Sequence, residues 1–258
     1  MEHVTIIKVG GAVVEDAEQL GKLLTAFSTL RGSKILVHGG GRRATKVASE
    51  LGIESQMVGG RRITDARMLE VVTMVYGGLV NKNIVARLQA LGVNAIGLTG
   101  ADMNVIRSHR RPLKDGIDFG FVGDVDEVQG ERLAQLMQTG IVPILAPLTH
   151  DGAGTMLNTN ADTIAAETAL ALAKSHPVTL VYCFEKPGVL SNPDDDGSVI
   201  PTITRADFDR LVGEGTVSGG MVPKIENALR AVEAGVERVV ITRADLLGQE
   251  GCGTVITR

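Results

Sequence analysis

The sequence predicts an α/β protein with a mostly parallel sheet, because strand, glycine-rich turn and helix follow one another twice within the first fifty residues. The first strand, over residues 5–9, is rich in β-branched residues and ends in Gly10 and Gly11. The second strand, over residues 33–37, ends in the glycines of 39–41. Parallel sheets bind ligands at the carboxyl ends of their strands, so we expect a site where these two turns meet.

The rest of the chain continues the alternation of strands and helices. Amphipathic spacing predicts helices over 16–30, 42–51, 66–91, 130–139, the 157–162 stretch to 174, and from 223 onward. Apolar runs predict strands over 94–98, 141–146, 178–183, 239–242 and 254–257, and a hairpin or edge pair over 119–128. The helical pattern ends near 175–177, which predicts an N-terminal lobe of residues 1–176 and a C-terminal lobe of residues 177–258.

The composition excludes several classes of protein. A net charge of −4 and an aromatic content of 3% over 258 residues are unlike a general polyanion binder or a base-stacking protein. Cys183 and Cys252 can form neither a disulfide framework nor a zinc cluster. No apolar run approaches the roughly 20 residues that cross a bilayer. We therefore expect a cytoplasmic protein that binds neither nucleic acid nor membrane.

Two lysines stand where a phosphate would be bound. Lys8 lies at the end of the first strand, beside backbone that carries no side chains. Lys224 follows Pro223, a residue that suits the first position of a helix, so Lys224 falls in the first turn. A cation there is unfavourable with the helix dipole unless an anion is near. Solvated surface lysines are the alternative.

Polar residues in two other stretches suit a small anionic substrate. Arg62 lies in a glycine-flanked loop, where its guanidinium could bind a carboxylate through two parallel hydrogen bonds. Thr159 and Asp162 have the spacing of a capping box, which needs no function. Helix capping does not explain Asn158 and Asn160, which we therefore regard as candidate ligand-binding residues.

Two known nucleotide-binding motifs match this sequence poorly. The Walker sequence of P-loop enzymes is absent. Gly39, Gly41 and Ala44 fit the loose dinucleotide fingerprint, but no strand ending in an acid follows at the distance needed to hold a ribose.

Five motifs in order resemble the amino acid kinase family, and specifically its acylglutamate branch. They are Lys8-Val9-Gly10-Gly11, His38-Gly39-Gly40-Gly41, Gly60-Arg61-Arg62-Ile63-Thr64, Asn158-Thr159-Asn160-Ala161-Asp162 and Gly220-Met221-Val222-Pro223-Lys224. The resemblance covers essentially the whole chain. It implies a three-layer αβα sandwich around a mostly parallel eight-stranded sheet, with the amino acid bound by the N-terminal lobe and ATP by the C-terminal lobe.

The resemblance also implies a reaction. ATP would phosphorylate the side-chain carboxylate of N-acetyl-L-glutamate in arginine biosynthesis, with Mg²⁺ bridging the nucleotide phosphates and no metal held by the protein's own residues. Because a carboxylate is already ionised at neutral pH, this transfer needs no general base. Catalysis would then depend on positioning and on neutralising the phosphoryl oxygens.

Residue roles follow from the same resemblance. Lys8 and Lys224 would stabilise the transferring phosphoryl group, and Asp162 would orient them. The phosphate-binding residues would be Gly10, Gly11, Gly39 and Gly40, the substrate-binding residues Gly39, Gly40, Arg62, Asn158 and Asn160, and those of the nucleotide-binding lobe Phe184, Glu185, Lys186, Gly188, Gly220 and Met221.

Two features depart from the family pattern. The segment 184–189 reads Phe-Glu-Lys-Pro-Gly-Val where such kinases usually have Thr/Ser-Asp-Val-Pro-Gly-Val, so the contacts to the nucleotide base there differ. The chain also begins almost directly at its first strand, without the helical extension of the arginine-inhibited hexamers. We therefore expect an arginine-insensitive homodimer formed through the 66–91 region.

Other functions remain open from the sequence. The substrate could be N-succinyl-L-glutamate or another acylated amino acid, since the acyl pocket cannot be read from the residues. Other classes are a dinucleotide-dependent oxidoreductase built on residues 39–44 and a non-catalytic regulatory binder, which the altered 184–187 segment would favour.

Overall fold

An eight-stranded sheet forms the centre of the molecule in the computed structural model, which describes residues 2–113, 115–219, 221–249 and 251–258. The strands of the described residues are β1 (Val4–Val9), β2 (Ser33–His38), β3 (Met57–Val58), β4 (Arg61–Arg62), β5 (Ala95–Leu98), β6 (Ile106–Arg110), β7 (Gly123–Val128), β8 (Val142–Leu145), β9 (Leu148–His150), β10 (Met156–Asn158), β11 (Val178–Phe184), β12 (Thr202–Ile203), β13 (Arg238–Arg243) and β14 (Thr254–Ile256).

The strand order of the central sheet brings the two predicted glycine turns together. The order is β12-β14-β13-β11-β1-β2-β8-β5, and every neighbouring pair is parallel except β13 with β14. Val9 of β1 lies opposite His38 of β2 and Cys183 of β11. The three strands therefore end side by side, and the prediction of a mostly parallel sheet is confirmed.

Helices cover both faces of this sheet. They are α1 (Gly11–Glu15), α2 (Ala17–Thr29), α3 (Gly41–Glu50), α4 (Ala66–Val72), α5 (Asn81–Ala90), α6 (Gly130–Gln138), α7 (Ala161–Ala173), α8 (Arg205–Gly213) and α9 (Met221–Glu233). A π-helical segment, Thr73–Val80, joins α4 to α5. Within the described ranges, every helix is too short or too polar to cross a membrane.

The core has two layers because side chains alternate along each strand. In β1, Val4 and Ile6 pack into a cluster on one face, whereas Ile7 and Val9 pack into a second cluster on the other. All four side chains are fully buried, as expected for a central parallel strand covered by helices on both faces. This arrangement confirms the αβα sandwich.

Several elements differ from their predictions. The helix predicted over 16–30 is α2, which Asp16 caps by accepting hydrogen bonds from the N–H groups of Glu18 and Gln19, but the short α1 before it was not predicted. Pro223 is the third residue of α9 and not the first. The structure also has a second sheet with the order β10-β9-β6-β7, of which the sequence predicted only β7. The other three strands are three to five residues long and carry little periodic signal.

Candidate active site

The glycine turns after β1 and β2 touch each other without side chains between them. A Cβ on Gly39 would lie 3.0 Å from the nitrogen of Gly11, and one on Gly11 would lie 3.6 Å from the nitrogens of Gly40 and Gly41. Gly39 donates its own N–H to the carbonyl oxygen of Val9 at 2.9 Å, which fastens the second turn to the first. Any larger residue at Gly39 would push the turns apart.

The N–H groups of Gly40 and Gly41 remain open at this junction. Neither donates to an acceptor in the described part of the chain, and both residues border a cleft. Gly41 is the first residue of α3, so its N–H has no partner within the helix. Gly39 was predicted to donate to phosphate, but its N–H is used within the fold. The N–H groups of Gly11, Gly40 and Gly41 donate to no acceptor in the described part of the chain.

Lys8 is held at the end of β1 by Asp162. Its nitrogen Nζ lies 2.7 Å from Asp162 Oδ1, and only 7% of the residue is exposed. Asp162 is the second residue of α7, where a carboxylate is favoured by the helix dipole. The sheet and α7 therefore fix the ammonium group beside the glycine turns.

Lys224 approaches Lys8 across an aromatic ring. The centroid of the Phe184 ring lies 5.4 Å from Lys8 Nζ and 4.1 Å from Lys224 Nζ, so the two nitrogens are at most about 9.5 Å apart. Phe184 in turn stacks on Tyr182, with the centroids 5.9 Å apart. Lys224 forms no ion pair with any described residue, so Asp162 pairs with Lys8 alone. The two lysines nevertheless converge, as the sequence predicts.

A cleft of about 450 Å³, here called the phosphate cleft, has Lys224 and Phe184 on its wall, while Lys8 is not among its lining residues. The predicted residues that line it are Gly10, Gly11, Phe184, Glu185, Lys186, Met221 and Lys224. Gly188 was predicted with these residues but does not line the cleft. It packs against Thr254 and Val199, where a Cβ would lie 2.8 Å from each side chain. Gly220 lies outside the described residues.

The charged groups of the altered segment 184–187 are bound by neighbours. Lys186 Nζ lies 3.1 Å from Asp196, which also pairs with Arg243 at the same distance. The turn around Asp196 therefore contacts this segment through an exposed ion pair. Glu185 lies 3.7 Å from Arg42 of α3, an exposed pair that contributes little stability.

A second cleft of about 180 Å³, here called the substrate cleft, lies beside the first and shares Gly41 with it. The predicted residues on its wall are Gly39, Gly40, Arg62, Asn158 and Asn160. Arg61 and Tyr76 also line it, and neither was predicted to do so. Tyr76 lies within the apolar stripe of the 66–91 region, so nothing in its spacing distinguishes it from a core residue.

Arg62 is a buried cation with no carboxylate partner in the described residues. Its Nη2 donates to the carbonyl of Gly41 at 2.9 Å and to Thr45 Oγ1 at 2.8 Å, while Nη1 donates to Ser55 Oγ at 2.8 Å. The guanidinium N–H groups that were predicted to form two parallel hydrogen bonds to a ligand carboxylate are therefore already used within the protein. A bound carboxylate would feel the charge of Arg62 and would displace one of these acceptors to form both bonds.

Asn158 and Asn160 present complementary groups to the substrate cleft. Asn158 donates from Nδ2 to Thr64 Oγ1 at 2.9 Å, which leaves its carbonyl oxygen Oδ1 as an acceptor. Asn160 Oδ1 accepts the N–H of Asp162 at 2.8 Å and that of Thr163 at 3.2 Å, which leaves its amide nitrogen as a donor.

The cap of α7 is therefore Asn160, and the predicted capping box at Thr159 is wrong. Thr159 bonds through its hydroxyl to Thr149 at 2.8 Å, because the β9 to β10 connection brings that residue alongside. Helix capping therefore explains Asn160, contrary to the expectation from the sequence, because the contact of Thr159 with Thr149, which the local pattern does not reveal, removes the residue that was expected to cap α7.

Comparison with known proteins agrees with this geometry. The model of the amino acid kinase family matches residues 3–243. The chain is similar to the acetylglutamate kinase of Phocaeicola vulgatus, with 65% identity covering 100% of this chain and 99% of that one. It is also similar to the acetylglutamate kinase of Bacteroides thetaiotaomicron, with 64% identity and 95% of each chain covered.

Solved structures share the fold. A Streptococcus mutans protein called smu.665 has a TM-score of 0.76 at 29% identity and covers 98% of both chains. The N-acetylglutamate synthase of Neisseria gonorrhoeae, solved with coenzyme A and N-acetyl-glutamate, has a TM-score of 0.83 at 22% identity. The match to the synthase covers 99% of this chain and 59% of that one, and at this identity it shows the fold alone.

Gly40→Ala is expected to damage the site. Its Cβ would lie 2.9 Å from Tyr76 Cδ1, so the ring or the turn must move and the open N–H groups shift with it. We expect a loss of at least about tenfold in kcat, because small misplacements of catalytic groups are costly. Gly21→Ala in α2 is the control, since its Cβ meets nothing within 4 Å and should stabilise the helix by about 0.5–1 kcal/mol. Equal activity of both variants would contradict the assignment.

Phe184→Leu should lower kcat about two- to sixfold, because it removes a cation–π contact of about 0.5–1 kcal/mol that holds the lysines while keeping apolar volume. Phe184→Tyr keeps the ring face and should retain activity. The matched control is Phe208→Leu, whose ring faces Arg205 of α8 and not the cleft. Steady-state turnover of the folded proteins checks this, and unchanged turnover in Phe184→Leu would show that the ring only fills space.

Proposed function

The chain belongs to the amino acid kinase family, and we propose that it is an acetylglutamate kinase, which transfers the γ-phosphoryl group of ATP to the side-chain carboxylate of N-acetyl-L-glutamate in arginine biosynthesis. The observation that carries this proposal is the convergence of Lys8 and Lys224 on one ring, beside the open N–H groups of Gly40 and Gly41 and next to a cleft with a buried arginine.

The substrate cleft suits an N-acylated glutamate. Arg62 supplies a buried positive charge for the α-carboxylate, and burial strengthens that attraction because little water screens it. Asn158 Oδ1 would accept the N–H of the substrate amide, and Asn160 Nδ2 would donate to one of the substrate's oxygens. The side-chain carboxylate would then extend toward Gly41, which the two clefts share.

The phosphate cleft suits the transfer step. Lys8, oriented by Asp162, and Lys224 would neutralise the negative charge that is spread over the phosphoryl oxygens, while glycine N–H groups donate hydrogen bonds to the same oxygens. No group of three or more His, Cys, Asp or Glu in the described parts of the chain could hold a metal ion, so Mg²⁺ would arrive on the nucleotide phosphates and reduce their charge.

ADP release, coupled to a reporter enzyme and measured with a panel of acylated glutamates, tests the proposal. We expect ATP-dependent turnover with N-acetyl-L-glutamate. A change in nicotinamide absorbance without ADP release would indicate a dinucleotide oxidoreductase, and substrate binding without turnover would indicate a regulatory binder.

One observation favours N-succinyl-L-glutamate as a second candidate substrate. Arg61 lies on the wall of the substrate cleft beside Arg62, is exposed, and forms no ion pair with the described residues. A second cation at this position suits a substrate with a third carboxylate, as a succinyl group would provide. The same panel decides between the acyl groups through their kcat/KM values, and Arg61→Ala should weaken only the succinylated substrate.

The roles of the two lobes and the oligomeric state belong to the same proposal. The lobe of residues 1–176 would bind the amino acid and form a homodimer, and the lobe of residues 177–258 would bind ATP, in the cytoplasm. Met74 and Leu79 support the dimer, because these two large apolar side chains both lie on the π-helical segment and are 55% and 42% exposed.

Lys8→Ala and Lys224→Ala should each lower kcat about 10²–10³-fold, because each removes a preorganised charge that matters most in the transition state. KM should change far less. Lys22→Ala is the control, since Lys22 forms only a surface pair with Glu18. Near-normal turnover in either of the first two variants would remove that lysine from the proposed mechanism.

Light scattering should give a particle of about twice the 27.1 kDa chain mass. Met74→Glu should shift the equilibrium toward monomers, because it places a charge in the proposed apolar contact. Met103→Glu tests specificity, since Met103 is 47% exposed at another site and its substitution should leave the dimer intact. A hexamer, or a monomer at all concentrations, would contradict this interface.

A further inference from the structure

His38 is a fully buried histidine directly before the Gly39–Gly41 turn, and neither substrate cleft nor phosphate cleft includes it. Its Nδ1 lies 2.7 Å from the carbonyl oxygen of Gly39, and its Nε2 lies 3.1 Å from Asn81 Nδ2. A buried imidazole costs free energy unless its nitrogens are hydrogen-bonded, and an aliphatic side chain would fill the same space in the core without that requirement. The two bonds therefore call for an explanation beyond packing.

The surroundings determine which nitrogen carries the proton. Asn81 Nδ2 also donates to the carbonyl of Ile144 at 2.9 Å, and Asn81 Oδ1 accepts from Lys82 Nζ at 3.2 Å, so the amide has one orientation. Its nitrogen must donate to His38 Nε2, which is then unprotonated. The proton lies on Nδ1 and is donated to Gly39, whose carbonyl can only accept.

Gly97 of β5 makes room for this arrangement. A Cβ at Gly97 would lie 1.7 Å from Asn81 Oδ1, so no other residue fits there without moving the amide. The chain of contacts thus runs from Gly97 through Asn81 and His38 to the carbonyl of Gly39. Burial lowers the pKa of His38 to about 4, which keeps the ring neutral at physiological pH.

The carbonyl of Gly39 belongs to the same peptide unit as the N–H of Gly40. A trans peptide is planar, so the two groups point in opposite directions and fixing one fixes the other. Glycines on both sides of this unit give it unusual freedom to rotate. The preceding unit is already fastened, because the Gly39 N–H donates to Val9. The 39–40 unit has His38 as its anchor.

We propose that His38, held in the Nδ1-protonated form by Asn81, is a positioning residue that aims the Gly40 N–H into the active site. This inference rests on the proposed function and adds a residue to it. In the wild-type protein, the Gly40 N–H is ready to bond to a negative oxygen of the reacting groups before they arrive. Without His38, the unit can turn its carbonyl toward the same place and repel that oxygen.

Two substitutions separate positioning from packing. His38→Asn places an amide donor near the position of Nδ1 and should retain the bond to Gly39. His38→Gln places its amide near the position of Nε2 and should retain only the contact with Asn81. We expect His38→Gln to lower kcat about 10²-fold with KM little changed, and His38→Asn to stay within about tenfold of wild type, although both lose stability. Equal kcat for the two variants, compared at equal folded fractions, would overturn the proposal.

Nuclear magnetic resonance of the wild-type protein labelled with ¹⁵N-histidine provides a test that needs no activity. The one buried member of the five histidines should show an Nδ1-protonated neutral ring, and the Gly40 amide resonance should shift more in His38→Gln than in His38→Asn. An Nε2-protonated ring would overturn the proposal. If no acylated glutamate is phosphorylated, the proposed function fails, while the ring and amide signals still report on the positioning.

Discussion

The close contact of two turns without side chains is the constraint on which the active site depends. Strands β1 and β2 end side by side because they are parallel neighbours, and this alone would leave their turns some distance apart. Gly11 and Gly39 remove the atoms that would separate them. Backbone donors, Lys8 and the substrate cleft then meet within one small region. A dense packing of backbone against backbone also resists the movement that would misalign these donors.

The electrostatics of the region is unbalanced in favour of cations. Lys8 has a carboxylate partner, as do Arg42 and Lys186 at the rim of the phosphate cleft. In contrast, Arg62 is buried among neutral acceptors and Lys224 lies over a ring. Such an arrangement costs free energy in the free protein, because the charges lose water without full compensation. An anionic substrate and a nucleotide supply the missing negative charge. The cations are then already in position to stabilise the negative charge of the reacting groups, as preorganised electrostatic catalysis requires.

The sequence predicts the position of backbone features better than the partners of side chains. Lys8 and the glycine turns could be placed because they follow directly from strand ends, which local patterns reveal. The partners of Arg62 could not, since Thr45 and Ser55 lie 17 and 7 residues away and nothing local marks them. Tyr76 and Asn81 were missed for the same reason: both lie in a helical region whose apolar spacing indicates only core. A motif thus identifies a residue as functional before its contacts are known.

Phe184 shows why a departure from a family pattern can be compatible with the family's chemistry. Asp162 already lies 2.7 Å from Lys8, and a second carboxylate in place of the ring would neutralise the lysines further and compete with the phosphate for the same charges. The face of an aromatic ring attracts both ammonium groups more weakly, at about 0.5–2 kcal/mol each, and carries no net charge. It also holds two like charges close together, which repulsion would otherwise drive apart. A phosphoryl group can therefore replace the ring as the main partner of both lysines, since a full negative charge binds them more strongly than a quadrupole does.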